Sequence, residues 1–453
     1  LLPEDPDAYN NLGAVLNDLQ ENQEALISIK KAIALRPDYA EAYNNLGNIY
    51  KEQKKYNKAI TNYKKAIKFK PNYYEAHNNL GVLYKKIKNF PSAFNSIYKA
   101  LDINANSPQV YNSLASLYFE LNDYKKSCSY FEKVLSIDPN NIEAYNNLSV
   151  IFEKKESYKK AERLLKKAIQ INPDYYLTYY NLGNIFAKMN KYNLAKKAFE
   201  RSIKLNPCFI NAFDNLAYLH NLFNKFSKAA KISKKSIEID PSNPTPFNNM
   251  GYALKGQKKY DTSKSFLEIA IKLNPEYAEA HCNLGNIFMI LGNYEYAIKH
   301  LKESINCKIK KNQNILRFFT IFLFNLNYSP NSSAEEVFSY YQQFDHKFGL
   351  PLHKEWQPFP LIKEQKSKLK IGYVSPDFKK HSVQHHLLPV LANHNHDQFE
   401  IYAFAELSEE DPVTQQYKSY VDHWIPTQGL SDEEMVQKIR ELQIDILVDL
   451  AGH

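Results

Sequence analysis

The sequence predicts a mostly α-helical chain. A solenoid of stacked helix pairs covers residues 1–305, transitional helices and a linker cover 306–368, and a partial α/β segment covers 369–453. Three observations predict this division. Proline recurs at a spacing of 34 residues, and two columns of small residues run in phase with it. Beyond residue 368 the hydrophobic pattern shortens from helical stripes to buried, strand-like runs.

The repeat is read from its columns. Prolines stand at Pro3, Pro37, Pro71, Pro139, Pro173, Pro207, Pro241 and Pro275, with Ala105 in the one gap. Ten residues after each anchor comes a small residue: Gly13, Gly47, Gly81, Ala115, Ser149, Gly183, Ala217, Gly251, Gly285. A second small column starts at Ala25 and Ala59, and a ring column starts at Tyr56 and Phe90. Small residues belong where two helices cross closely, because a larger side chain pushes the backbones apart. Rings fill the space between pairs. Proline ends each second helix, since it supplies no interior N–H. One pair cannot bury its own apolar face, whereas stacked pairs can. Nine units in unbroken register resemble the tetratricopeptide repeat, which implies a right-handed α-solenoid.

That resemblance places the first helix of each pair on the inner surface. The position before the leucine column there reads Asn11, Asn45, Asn79, Ser113, Asn147, Asn181, Asn215, Asn249, Asn283. Asparagine is a mediocre helix former, so its recurrence asks for a reason. Its amide carries donor and acceptor together, matching the two polar groups of a peptide backbone. The favoured reading is a ladder holding an extended protein chain or peptide. The competing reading is solvated filler or contact between repeats, because the neighbouring column (Asn10, Asn44, Asn78, Asn112, Asn146, Asn248) is also asparagine in an Asn-rich chain. Lysine pairs such as Lys30-Lys31 and Lys166-Lys167 fall on the second helices, where a solvated outer face explains them better than a nucleic-acid surface.

After residue 305 the register decays. Asn314–Asn327 is an apolar, aromatic helix, and Ser332 or Ser333 caps another with Glu335 and Glu336 in its first turn. The proline-bearing stretch from Leu350 to Lys368 reads as a linker. LKIGYVS (Leu369–Ser375), FEIYAFA (Phe399–Ala405), DHWIP (Asp422–Pro426) and IDILVDL (Ile444–Leu450) read as strands. Helical patterns at Pro412–Tyr420 and Ser431–Leu442 alternate with them, which implies a parallel sheet with crossover helices. Ligands gather beyond the carboxyl ends of such strands. Two loops leave those ends: SPDFKKH with His381, and AGH with His453. Seven of the 13 histidines fall in this last segment. His381 and His385 have a spacing that binds zinc on a helix, but no third ligand stands nearby, so no metal is expected. Loop histidines serve structure as well as acid–base or phosphate-side work, and spacing does not decide between them.

Bulk properties restrict the classes. The net charge of +9 is uneven: Leu369–His453 holds 6 Lys or Arg against 14 Asp or Glu, a net −8, beside a basic array. The four cysteines show no local pairing and no CxxC, which favours a reduced, cytoplasmic-type compartment over a disulfide framework. The most apolar stretch, Ile315–Leu326, contains Arg317 and Asn325 and is too short to span a membrane. No secretory signal opens the chain. A start at Leu1 and a stop at the end of a strand are expected of a piece of something longer.

The succession of a long repeat array, FNLNYSPNSSAEEVF, KLKIGYVSPDFKKHSVQHHLLPVL and DILVDLAGH resembles the O-linked N-acetylglucosamine transferases and their SPINDLY-like relatives. The resemblance implies a GT-B glycosyltransferase whose first Rossmann-like half is partly present. It implies transfer of a sugar from UDP-N-acetylglucosamine to Ser or Thr of intracellular proteins, without a required metal or cofactor. It makes His381 a candidate active-site residue, with His385 and His453 as nearby loop positions, and gives the asparagine column the acceptor chain. The donor is expected to need a second half beyond His453, so the chain alone is expected to be inactive. Two other readings stay open: a non-enzymatic repeat scaffold, and an O-fucosyltransferase using GDP-fucose.

Overall fold

A computed structural model describes residues 4–307, 314–355, 368–407 and 409–450. The first eighteen helices form nine pairs. They are α1 (Pro6–Asp18) with α2 (Asn22–Leu35), α3 (Ala40–Glu52) with α4 (Tyr56–Phe69), and α5 (Tyr74–Lys86) with α6 (Phe90–Ile103). Next come α7 (Pro108–Glu120) with α8 (Tyr124–Ile137), α9 (Ile142–Lys154) with α10 (Tyr158–Ile171), and α11 (Tyr176–Lys188) with α12 (Tyr192–Leu205). The last are α13 (Ile210–Leu222) with α14 (Phe226–Ile239), α15 (Pro244–Gly256) with α16 (Tyr260–Leu273), and α17 (Ala278–Ile290) with α18 (Tyr294–Asn306). From the second pair onward, the ring column supplies the first residue of every second helix. Two compact units result, Leu1–Pro275 and Glu276–His453, so the ninth pair belongs to the second unit.

Each column has its place. A Cβ on Gly183 would lie 2.5 Å from the Phe199 ring, and one on Gly47 would lie 2.5 Å from the Tyr63 ring. Gly13, Gly81 and Gly251 face Ile29, Ile97 and Leu267 in the same way. The seventh repeat departs from this pattern, with two small buried residues, Ala217 and Ser233, at the two positions. Where serine replaces alanine in the second small column, its hydroxyl bonds across the crossing: Ser127 Oγ donates to the Ala115 carbonyl (2.7 Å) and Ser263 Oγ to the Gly251 carbonyl (2.6 Å). Side chains from successive pairs then share one core. Leu165 of α10, Ile185 of α11, Phe199 of α12 and Leu216 of α13 pack in a single buried group.

The turns are as regular as the helices. The first helix of each pair ends on a residue with positive φ at the same register: Gln20, Lys54, Lys88, Asn122, Glu156, Asn190, Asn224, Lys258 and Gly292. Only the last is glycine, although this left-handed position favours it. Returning hydrogen bonds close these turns, as from Lys55 N to the Tyr50 carbonyl (2.9 Å). The second helices end on an extended residue before proline, such as Arg36 at φ −136° before Pro37. Proline disfavours helical backbone in the residue ahead of it, so the helix stops there.

In the second unit, α19 (Asn314–Leu326) and α20 (Ala334–Phe344) follow the ninth pair. Ser333 caps α20 as expected, accepting from Glu336 N. Phe318, Phe322 and Leu326 pack with Leu301 and Ile305, and Tyr340 meets Phe322 edge-on at 4.8 Å. Leu350–Glu355, in the stretch read as a linker, is a 3₁₀ helix, and the rest of that stretch to residue 367 lies outside the described residues. A four-stranded parallel sheet comes last: β1 (Leu369–Ser375), β2 (Phe399–Ala405), β3 (His423–Pro426) and β4 (Ile446–Asp449), in the order β3-β2-β1-β4. Helices α21 (Gln384–Ala392), α22 (Pro412–Lys418) and α23 (Asp432–Glu441) connect them. Ile371, Tyr373, Ile401 and Ala403 pack with Leu387, Leu391 and Tyr417 on one face. Tyr402 and Phe404 pack with Met435 and Ile439 on the other. The strand alternation thus puts α21 and α22 on one side and α23 on the opposite side.

Replacing Gly183 with valine forces the α11–α12 crossing apart against Phe199. The expected loss is about 3 kcal/mol, read as a lower urea midpoint by circular dichroism.

Candidate functional site

The order β3-β2-β1-β4 puts a topological switch between β1 and β4, where successive connections run in opposite directions. Ligands of open α/β sheets bind at such a point, beyond the strand ends. The loop 376–383 leaves β1 there. Phe378 holds it down: the ring is fully buried, 5.2 Å from Tyr417 and 5.4 Å from Trp424. Asp411 holds it from the side, accepting from Lys380 N at 2.7 Å while capping α22 in a capping box with Thr414. These backbone N–H groups keep the Asp411 carboxyl below its ordinary range. The amide of Asp377 donates to Ser375 Oγ at 3.0 Å.

On this pinned loop His381 is exposed. Its Nδ1 lies 3.6 Å from Asp377 Oδ2 and accepts a long bond from Val383 N (3.4 Å). A carboxylate at this distance helps to orient the ring. The hydroxyl of Tyr417 is buried next to this loop without a hydrogen-bond partner, and burial above all, then Asp377 and Asp411, raise its pKa. His385 is exposed in the first turn of α21, whereas His381 precedes that helix, so the two do not share a helix face. Among the described residues no group of three or more His, Cys, Asp or Glu is placed to hold a metal. His453 lies outside the described residues. Three other histidines are engaged elsewhere: His396 with Asp422 (3.1 Å), His423 with Glu400 (2.6 Å) and His394 with Tyr373 (2.8 Å). Asp377 stands inside the loop motif, four residues before His381, and that spacing was its only signal. Asp411 carried none, because it comes to the loop from 31 residues away.

The asparagine column has a second geometry. Asn45 Nδ2 donates to Asn10 Oδ1 (2.9 Å), Asn79 to Asn44 (3.0 Å) and Asn181 to Asn146 (2.9 Å). Asn215 donates to Asn184 Oδ1 (2.8 Å), and buried Asn249 to the Asp214 carbonyl (3.1 Å). One N–H of each of these five amides therefore ties its repeat to the preceding one, whereas Asn112 Oδ1, the corresponding acceptor for Asn147, is left without a partner. Asn11 and Asn147 are exposed, and Asn283 is half-buried. The chain of bonds breaks at the fourth repeat. Ser113 replaces asparagine there, its hydroxyl turns back to the Gln109 carbonyl (3.1 Å), and Asn78 Oδ1 is left buried without a donor. The seventh repeat carries Asp214 where most repeats have asparagine. Its carboxyl accepts from Ser236 Oγ (2.8 Å) and Asn243 Nδ2 (3.0 Å), yet burial outweighs both and raises its pKa to about 6.

Comparison with known proteins agrees with both parts of the chain. Residues 346–453 match the model of glycosyl transferase family 41. Tetratricopeptide repeat models match residues 15–54, 47–88, 74–107, 106–174, 176–207 and 248–311. A relative from Arabidopsis thaliana, the probable UDP-N-acetylglucosamine–peptide N-acetylglucosaminyltransferase SPINDLY, is 27% identical over 135 residues. That match covers 29% of this chain and 15% of the relative. The protein of the same description named SEC, also from Arabidopsis thaliana, is 32% identical over 110 residues, covering 24% and 11%. The matched region is thus a small part of either relative's length. Among solved structures, a mutant O-GlcNAc transferase from Thermobaculum terrenum aligns at 24% identity over 54% of this chain and 46% of that one. Its TM-score of 0.43 is too low to bear on function. The chain carries tetratricopeptide repeats followed by a segment that matches the family 41 glycosyl transferase model.

Two substitutions follow from the inter-repeat bonds. Ser113→Asn supplies the missing donor to Asn78 and is expected to stabilise the array by about 1 kcal/mol in urea denaturation. For Asp214 the folded pKa lies above the ordinary 3.8, so the folded chain holds the extra proton and stability falls as pH rises from about 4 to about 6. Asp214→Asn should abolish that slope in a pH series of melting curves.

Proposed function

We propose that this chain is the acceptor-recognising part, with the start of the catalytic region, of a protein O-glycosyltransferase. The proposed reaction moves N-acetylglucosamine from UDP-N-acetylglucosamine to Ser or Thr hydroxyls of partner proteins. The observation that carries this reading is the family 41 segment, which directly follows the repeat array and presents His381 and Asp377 on the loop at the switch point.

The chemistry asks for two things from this side. An acceptor hydroxyl must lose its proton as it attacks the anomeric carbon, and the acceptor chain must be held still while it does so. His381 is the proposed group at the reacting end, taking the proton or ordering the groups that do, with Asp377 orienting its ring. His385 and His453 are lesser candidates in the same region of the sequence. The asparagine column is the proposed holder. Asn45, Asn79, Asn181 and Asn215 each keep a second N–H and the amide oxygen after tying their repeats together, while the side chains of Asn11 and Asn147 are exposed. Bonds between repeats fix the direction of each amide in advance, which lowers the entropy lost when a peptide docks. Both readings of the column therefore hold together, one N–H serving the fold and the remainder serving the acceptor.

The test uses the full-length protein containing this chain, with labelled UDP-N-acetylglucosamine and GDP-fucose offered separately. Labelling of protein acceptors from the first donor alone is expected. His381→Ala should lower the rate roughly 10²- to 10⁴-fold with an unchanged circular dichroism spectrum. Transfer from GDP-fucose alone, or an alanine variant as fast as the parent, refutes the corresponding part.

A further inference from the structure

In the first unit a cavity of about 390 Å³ opens between the start of α12 and the end of α13. It is far from the loop of β1 in sequence and is not used by the asparagine column. Its chemistry is one-sided. Lys191, Lys196 and Lys225 all line it, and no carboxylate does. Lys196 lies 3.6 Å from Glu200 in an exposed pair of the kind that contributes little, and Lys191 lies 3.9 Å from the less exposed Glu162. Lys225 makes no ion pair among the described residues.

Two further features point at the same space. His220 is 6% exposed, lines the cavity, and has no hydrogen-bond partner for its ring among the described residues. Burial and then the charges of Lys196, Lys228 and Lys225 hold its pKa below the ordinary value, with Glu200 the one opposing charge. The ring nitrogens are thus open to the cavity and free to meet a ligand there. Helix α12 also starts here without a side-chain cap, and the amides of Tyr192 and Asn193 find no acceptor among the described residues. Uncapped N–H groups at a helix start favour an anion. Part of the remaining wall is aromatic: the Tyr192 and Phe223 rings meet edge-on at 5.2 Å, beside Asn190 and Asn193.

We propose that this cavity binds a small phosphate monoester with a flat aromatic body. The phosphate sits among Lys196, Lys225, His220 and the start of α12, and the body lies against Phe223 and Tyr192. The volume falls in the range of small-molecule sites. An arriving dianion offers His220 a hydrogen-bond acceptor and reverses the field that disfavours its protonated form.

The experiment is titration calorimetry on the protein with phenyl phosphate, inorganic phosphate and phenol, with the His220 ring followed by NMR. Phenyl phosphate should saturate, bind roughly tenfold more tightly than inorganic phosphate, and raise the His220 pKa. Phenol should not bind. The double variant Lys196→Glu with Lys225→Glu should weaken phenyl phosphate at least about tenfold with helicity unchanged. His220→Gln, which keeps a donor, provides a second variant should the double one fail to fold, and is expected to retain binding but lose the linked proton uptake. No saturable binding, an unmoved His220 resonance, or equal affinity for the two phosphates overturns the assignment. Tighter binding of a phosphotyrosine tripeptide than of phenyl phosphate overturns the small-molecule assignment.

Discussion

The helix crossing within each repeat is the constraint from which the array follows. A small residue on the first helix receives a large one from the second, as Gly183 receives Phe199 and Gly47 receives Tyr63. The contact leaves no space for another methyl group, so it fixes the distance between the helices of a pair. That distance decides which side chains project toward the next pair, and hence the shared core of α10 to α13. The sizes vary along the array: Ala115 shares a core with Phe131, whereas the seventh repeat has two small buried residues, Ala217 and Ser233. Tight packing, with little room for voids, requires the two positions to be chosen together.

A second regularity is polar. The asparagine amides bond from one repeat to the one before it, and they do so where backbone carbonyls of the helices are already engaged. These bonds are directional, unlike the apolar core, and they orient the amides along the first helices. The exceptions are informative. Ser113 interrupts the series and leaves the Asn78 oxygen unpaired. Asp214 keeps the geometry but brings a carboxyl into a place where burial opposes its charge. Interaction energy between neighbouring repeats, on which a solenoid depends, is therefore uneven along the array.

In the α/β segment the organising fact is the order of the strands. Placing β4 beside β1 rather than beyond β3 creates the switch point and gives the β1 loop its open space. Phe378 and Asp411 make that loop rigid from two directions. A site held by packing on one side and by backbone N–H groups on the other can present an exposed histidine without losing its position. The anionic-ligand cavity of the first unit follows a different logic, in which burial strands His220 among lysines and leaves helix amides open.

The sequence by itself determined the repeat, its register, the pairing of helices and the run of strands, because each of these rests on local periodicity and on proline, small-residue and capping signals repeated many times. It also carried two separate candidates, the loop with His381 and the asparagine column. It did not determine where the asparagine amides would point, since the partner of each lies some 35 positions away in a column that reads as equally polar. Nor did it show the left-handed turns, whose one register is filled across nine repeats by lysine, asparagine, glutamine or glutamate as readily as by glycine. Tertiary structure decided those, along with Asp411 reaching the β1 loop and the lysines converging on His220. In each case the residues meet only after helices or strands have packed, and no signal local to either partner announces the meeting.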